Sequence, residues 1–401
     1  MFCGLIDRAM NSVPKSLRLH IGLFGRRNVG KSSLLNALTH QRVAIVSDVP
    51  GTTTDPVEKA MEFAPLGPVV FIDTAGIDDD GGELGRLRVE KTWQALNRVD
   101  VGIVVFEEWG EDEERLVAEF RRRGIPFVAV RSKCDRERSR AVECNRELSN
   151  AVEISTQTGQ GIHELRQAIV RIVPDRFVDG GTIVGDLISA GDSVVLVVPI
   201  DKEAPKGRLI LPQVQTIRDI LDHNAYCTVC KESELANVLR FNPALVITDS
   251  QAFKKVAETV PQSIPLTSFS ILFARHRSDL NEMIRGAESI GTLKAGDRVL
   301  IAEACTHHPI QDDIGTVKLP NLINKRVGGA LSYDFARGHE LPQDLKVYKL
   351  IIHCGACLWN RREMLSRQLL AREAGVPMTN YGVAIAYSLG ILERATEVMR
   401  K

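Results

Sequence analysis

The chain has no excess of charge: 51 Lys and Arg stand against 51 Asp and Glu. This balance excludes the long-range basic field of a non-specific nucleic-acid binder. No basic run extends beyond Arg121–Arg123. Aromatic residues make up only 5% of the 401 positions, too few for stacked-base platforms. No nucleic-acid partner is expected. No apolar run approaches about 18 residues, so no membrane-spanning helix is expected. The stretch Met1 to Arg18 lacks a long apolar core followed by a small-residue cleavage site, so no secretory signal is expected and a cytoplasmic setting is. Internal repeats and low-complexity segments are absent. So is the compact C-x-x-x-C-x-x-C of radical-SAM enzymes.

What is present is a length suited to two or three domains and an α/β rhythm. LHIGLF (19–24), VVFID (69–73), VGIVVF (101–106) and FVAVRS (127–132) are short, nearly continuous apolar runs. Such runs read as strands of a parallel sheet buried on both faces. Helical stretches such as KSSLLNALTH and ELRQAIVRIV lie between them. Pro174 to Gly181 reads as a linker. The α/β rhythm repeats on a smaller scale over residues 182–268, with strands at Val194–Ile200, Tyr226–Val229, Ala244–Thr248 and Ile264–Thr267. Val194–Ile200 is expected at a sheet edge, where it would pair with a second chain. The last stretch reads as a helix Ile271–Gly286, strands Arg298–Glu303 and 347–353, and helices Arg361–Glu373 and Val383–Met399. Three domains follow: 1–176, 177–268 and 269–401.

Gly25 to Ser32 (GRRNVGKS) fits G-x-x-x-x-G-K-S/T between an apolar strand and a helix. Backbone amides of Gly25, Asn28, Val29, Gly30 and Ser33 are expected to wrap a polyphosphate. Lys31 reaches the terminal phosphates and the Ser32 hydroxyl ligates Mg²⁺. Asp73-Thr-Ala-Gly76 ends a buried strand, so Asp73 would hold Mg²⁺ through water and the Gly76 amide would meet the γ-phosphate. Between them lies Pro50 to Asp55, able to present Thr53 to Mg²⁺. Lys133 and Asp135 occupy a base-reading loop, with Ser155 and Thr156 at the last expected position. Ser132 stands where Asn is usual, which is expected to weaken one support of that loop. Ile77 follows Gly76 and cannot orient water as a Gln would.

The eight cysteines are uneven. Cys305, with His307 and His308 behind it, follows one strand; His353, Cys354 and Cys357 follow another. The C-x-x-C lets two thiolates meet one centre, and Cys305 could be a third. His307, His308, His353, Asp312 and Asp313 are candidate further ligands. Three readings compete: inert buried cysteines, a structural Cys₃His zinc site, or an iron–sulfur cluster with a non-Cys fourth ligand. Spacing does not separate the last two. Cys227 and Cys230 read as small residues at a strand end.

The order of the nucleotide motifs resembles GTPases of the Era/TrmE type. The resemblance implies GTP/GDP and Mg²⁺ as ligands, and it makes Asn28 the mark of K⁺-binding enzymes. Lys31, Asn28, Thr53 and Gly76 would be catalytic, in a slow, K⁺-stimulated hydrolysis. Adding the terminal C-x-H…H-C-x-x-C, nearly the whole chain resembles the [FeFe]-hydrogenase maturation GTPases. That resemblance implies a P-loop GTPase domain, a dimerisation domain, and an α/β domain in which Cys305, Cys354 and Cys357 hold a [4Fe–4S] cluster, with His307 or His353 at the fourth iron. It also implies a homodimeric scaffold carrying a transient diiron precursor, with two radical-SAM maturases and the apo-[FeFe]-hydrogenase as partners. An RNA- or ribosome-associated GTPase with a zinc-binding tail is the alternative.

Overall fold

The computed structural model describes residues 14–39, 56–79, 82–135, 151–177, 181–200, 209–304, 314–357 and 359–400. The chain divides into two compact units, Met1–Gly180 and Gly181–Lys401. Among the described residues no helix is long and apolar enough to cross a membrane.

The first unit is built on strands β1 (Leu19–Phe24), β2 (Val57–Phe63), β3 (Gly67–Asp73), β4 (Val101–Phe106), β5 (Phe127–Arg131) and β6 (Val152–Glu153), in the order β2-β3-β1-β4-β5-β6. Every residue of β1 and β4 is buried, because apolar clusters cover both faces of the sheet. Phe24, Phe71, Phe106 and Phe120 are fully buried, each contributing about 2–3 kcal/mol of transfer free energy. β2 is the exception: it is antiparallel to β3 and mixes exposed and half-buried positions before ending on the buried Phe63. The sheet is therefore mixed, and this edge strand escapes a search for apolar runs. The helix Glu111–Arg123 has four acidic residues in its first turn and three arginines in its last, matching the helix dipole.

The second unit carries two four-stranded parallel sheets. One comprises β7 (Ser193–Val197), β8 (Tyr226–Cys230), β9 (Leu245–Thr248) and β10 (Leu266–Ser268), in the order β10-β9-β7-β8. The other comprises β11 (Arg298–Glu303), β12 (Ser332–Arg337), β13 (Leu350–His353) and β14 (Met378–Asn380), in the order β12-β11-β13-β14. One apolar cluster joins them, with Val195, Val197 and Val246 beside Leu300, Ala302 and Ile351.

Four local expectations are corrected here. β7 ends at Val197 and lies inside its sheet between β8 and β9, so the apolar strand is not an edge. The edges are β10, which is buried, and β8, which exposes Tyr226 and Val229. The expected helix Ile271–Gly286 is two helices, Phe269–Arg277 and Leu280–Glu288. Ser278 between them is extended, and Asp279 accepts from the Glu282 amide to cap the second. Val383–Met399 likewise splits into Tyr381–Ser388 and Leu392–Glu397 around Gly390, at φ 73°. The strand expected over 347–353 begins at Leu350, after a 3₁₀ turn Leu345–Val347.

Cys227 and Cys230 both lie on β8, opposite Val194 and Val197. Three residues apart on a strand they face opposite ways. Cys227 packs into one apolar cluster and Cys230 into another, and burial pushes both thiols up.

Candidate functional site

The nucleotide residues sit at the carboxyl ends of the parallel strands, where the order around β1 reverses direction and ligands of α/β sheets bind. Gly25 follows β1 at φ 145°, and a Cβ there would lie 2.0 Å from the Val105 carbonyl oxygen. Only glycine fits that approach. Asn28 also takes a left-handed conformation, at φ 60°. Lys31 opens the following helix and is buried. Its Nζ donates to the carbonyls of Gly25 (2.9 Å) and Arg26 (2.7 Å). Burial lowers its pKa to about 8, opposed by Asp73 and Asp78. Ser33 lies in the same first helical turn.

The Ser32 hydroxyl donates to Asp73 Oδ2 at 2.6 Å. Asp73 Oδ1 is buried with no hydrogen-bond partner. Burial raises the Asp73 pKa, against the Ser32 bond and Lys31. An orphaned, buried carboxylate oxygen beside a hydroxyl is a hard-oxygen pair suited to Mg²⁺. Thr53, the third expected Mg²⁺ residue, lies outside the described residues, as does the loop 50–55.

Gly76 abuts the phosphate loop: a Cβ there would lie 2.3 Å from Arg27 Cγ. The Ile77 amide donates to the Gly25 carbonyl at 3.3 Å. Two contacts of this region are invisible in the motifs. The Arg27 amide donates to Asp78 Oδ1 at 2.7 Å. Arg26 Nη2 donates to Glu113 Oε2 at 2.7 Å, tying the loop to a distant helix. Neither carries a local sequence signal.

The base-reading residues come from the ends of β5 and β6. Lys133 Nζ donates to the Asn28 carbonyl at 2.7 Å and also pairs with Glu107. Asp135 is exposed at the loop's end. Ser155 is fully buried, and its hydroxyl accepts from the Thr158 amide at 3.2 Å, with Thr156 beside it. Ser132 also supports the loop. Its buried hydroxyl donates to the Val29 carbonyl at 2.6 Å and lies 3.3 Å from the Phe106 carbonyl. Reaching the phosphate loop needs only one short donor, which serine supplies.

A second site lies in the other unit. From β11 the chain goes to β12 on one side and later to β13 on the other. The carboxyl ends of β11 and β13 therefore flank a topological switch point. Ala302 is paired with His353 across them. The Ala304 amide donates to Cys354 Sγ at 3.1 Å, and the Ala356 amide donates to it at 3.5 Å. Sulfur accepting amide donors is the environment that stabilises a thiolate. Ala304 immediately precedes Cys305, but Cys305, His307, His308, Asp312 and Asp313 lie outside the described residues. Among the described residues no three metal-ligating side chains meet.

Cys357 is half-buried. His353 is fully buried, its Nδ1 lies 2.9 Å from the Cys354 carbonyl oxygen, and its Nε2 has no partner. Burial and Arg367 lower its pKa to about 3, so the ring is neutral. Trp359 stacks on His339 at 5.0 Å and lies 5.4 Å from His353. The motifs did not point to Arg277 and Arg367, which surround this turn.

Comparison with known proteins adds the family. A 50S ribosome-binding GTPase model matches residues 20–133. The tRNA modification GTPase MnmE of Geobacillus kaustophilus (strain HTA426) is 36% identical over 200 residues, 47% of this chain and 42% of its own length. That of Azoarcus sp. (strain BH72) is 35% identical over 172 residues, 42% of this chain and 38% of its own. The chain thus spans less than half the length of these relatives. A crystal structure of Aquifex aeolicus Era bound to GDP and AlF₄⁻ covers 55% of this chain and 97% of its own at 20% identity and a TM-score of 0.33. The hydrogen maturase F dimerization domain matches residues 183–278, and the hydrogen maturase F tetramerization domain matches 281–398. These two models together span more than half of the chain, which therefore belongs to the hydrogen maturase F family, with a P-loop GTPase domain ahead of that family's two oligomerisation domains.

Proposed function

We propose that this chain is a GTP-hydrolysing, iron–sulfur-binding scaffold that assembles the diiron subcluster of [FeFe]-hydrogenase and delivers it to the apo-hydrogenase. The observation that carries the reading is the C-x-x-C turn at the β11/β13 switch point, with Cys354 Sγ held by the amide next to Cys305, in a chain of the hydrogen maturase F family. Cys305, Cys354 and Cys357 would ligate a [4Fe–4S] cluster, and His307 or His353 would complete it. The cluster would supply an iron with a replaceable ligand, to which a metal fragment can attach. The domains would be 1–176, 177–268 and 269–401, with the middle one forming a homodimer. Two radical-SAM maturases and the apo-hydrogenase would be the partners, in the cytoplasm.

In the nucleotide site, Lys31 leaves its two carbonyl partners to meet the terminal phosphates. Ser32, Thr53 and Asp73 would hold Mg²⁺, which neutralises charge developing on the phosphates. Asp135 would accept from guanine, with Lys133 and Ser132 fixing the base loop against the phosphate loop. Water attacks the γ-phosphorus and the bond to GDP breaks. Ile77 contributes no polar atom to that water, so Asn28 and a bound K⁺ would supply the missing positive charge.

The test has two arms. Anaerobically prepared protein should contain about four irons per chain and little zinc. Zinc without iron would select a zinc-tailed, RNA-associated GTPase instead. GTP hydrolysis should be faster in KCl than in NaCl, and Asn28→Ala should erase the difference. Equal rates in both salts would remove K⁺ from the reading.

A further inference from the structure

We propose that Arg277 and Arg367 compensate the negative charge of the cluster at Cys354 and Cys357 and set its reduction potential. The inference rests on the cluster reading above and deepens it.

Both arginines are buried, 3% and 5% exposed. Arg277 Nη1 donates to the carbonyls of Ala356 and Trp359, each at 2.6 Å. It thereby braces the turn between Cys354 and Cys357, where Ala356 takes an uncommon left-handed conformation at φ 46°. Arg367 Nη2 donates to the Gly338 carbonyl at 2.6 Å, and its guanidinium lies 4.5 Å from the centre of the Trp359 ring. Arg277 Nη2 and Arg367 Nη1 are buried without a hydrogen-bond partner. Among the described residues neither arginine forms an ion pair with a carboxylate.

A buried guanidinium without a counter-charge is strongly unfavourable. Among the described residues no carboxylate acts on Arg277, and of the two arginines Glu363 acts only on Arg367, so two guanidinium groups around one loop outnumber the nearby carboxylates. Carbonyl dipoles supply part of the compensation. The negative groups at hand among the described residues are Glu363, buried near Arg367 and paired with His339, and the thiols of the C-x-x-C turn, which for Arg277 are the only ones. A [4Fe–4S] core bound by three thiolates carries one net negative charge when oxidised and two after one-electron reduction. Two fixed cations nearby favour the more negative state, so they raise the potential. A brace for the turn alone would hold geometry without moving the potential.

The test uses the full chain, reconstituted anaerobically with iron and sulfide, as wild type, Arg277→Gln, Arg367→Gln and the corresponding Lys variants. Iron content and a dithionite titration followed by EPR are the readouts. Each Gln variant should keep its iron and shift the reduced-to-oxidised ratio at a given potential at least tenfold toward oxidised, about 59 mV for a one-electron couple. The Lys variants should stay near wild type, because they keep the charge. Iron-loaded Gln variants with the wild-type potential would overturn the proposal, leaving only the brace. If the Gln variants lose iron, the Lys variants decide: iron with the wild-type potential supports charge compensation, and iron loss there too overturns it. A wild-type chain that takes up no iron overturns the cluster reading and this proposal together.

Discussion

Lys31 gives the nucleotide site a measurable proton balance. In the free protein it is buried against two carbonyls, with a pKa lowered to about 8 by burial. Folding lowers this pKa, so the unfolded chain binds more protons, and the free fold gains stability as pH rises from about 8 to 10.5. A polyphosphate reverses the sign. Its negative charge favours the ammonium and returns the pKa to the ordinary lysine range or above. A return of 2.5 units corresponds to roughly 3 kcal/mol of differential interaction. Binding should therefore take up about 0.75 proton per nucleotide at pH 8.5 and about 0.1 at pH 7. Titration calorimetry of Mg-GTP in two buffers of different ionisation enthalpy reads this number directly. Uptake below about 0.2 at that pH would refute the argument, because it would mean that Lys31 is already fully charged before the nucleotide arrives.

The Ser132 hydroxyl ties the base loop to Val29, so Ser132→Ala should weaken guanine-nucleotide binding by about 1–2 kcal/mol, roughly 5–30-fold in Kd. A fluorescent GDP titration that finds less than a twofold change would show that the loop is held elsewhere. Cys354→Ala or Cys357→Ala should each remove most bound iron while GTP hydrolysis stays near wild type, since the two sets of residues belong to different units; loss of both together would contradict that separation. Val229→Lys places a charge on the exposed side of edge strand β8 and should shift the chain toward smaller species in light scattering. An unchanged mass would exclude β8 pairing as the contact between copies.

The parts of this molecule visible in its sequence are those governed by burial on both faces. β1, β3, β4 and β5 read as apolar runs because clusters cover both sides of their sheet. β2 and β12 were missed because VEKAMEF and SYDFAR are edge strands with mixed exposure. The breaks at Ser278 and Gly390 were missed because apolar periodicity continues across them, although the cap at Asp279 and the glycine were present as local signals. The nucleotide motifs were legible because phosphate recognition needs a contiguous loop. Ser132 is legible as a substitution, but the contact it makes is not, since its acceptor lies 103 residues away. Arg277 could not be found from spacing, because its acceptors lie 79 and 82 residues along the chain.

The two sites solve one electrostatic problem with different cations, and the difference follows from their chemistry. Each places a buried cation beside a strand-end loop that would receive an anion. Burial brings Lys31 to about 8 but leaves Arg277 and Arg367 at about 10. The lysine therefore titrates near physiological pH and can release its proton when no phosphate is present, which limits the cost of a buried charge. That suits a ligand that arrives and leaves with each turnover. The arginines keep their charge throughout, so the turn between Cys354 and Cys357 keeps two cations beside it, offset in part by Glu363 near Arg367. A fixed charge of that kind destabilises the metal-free domain and is relieved further when an anion is seated. Metal loading should then raise the melting temperature of the wild-type chain more than that of Arg277→Gln, and an equal gain in both would separate the buried arginines from the cluster's stability.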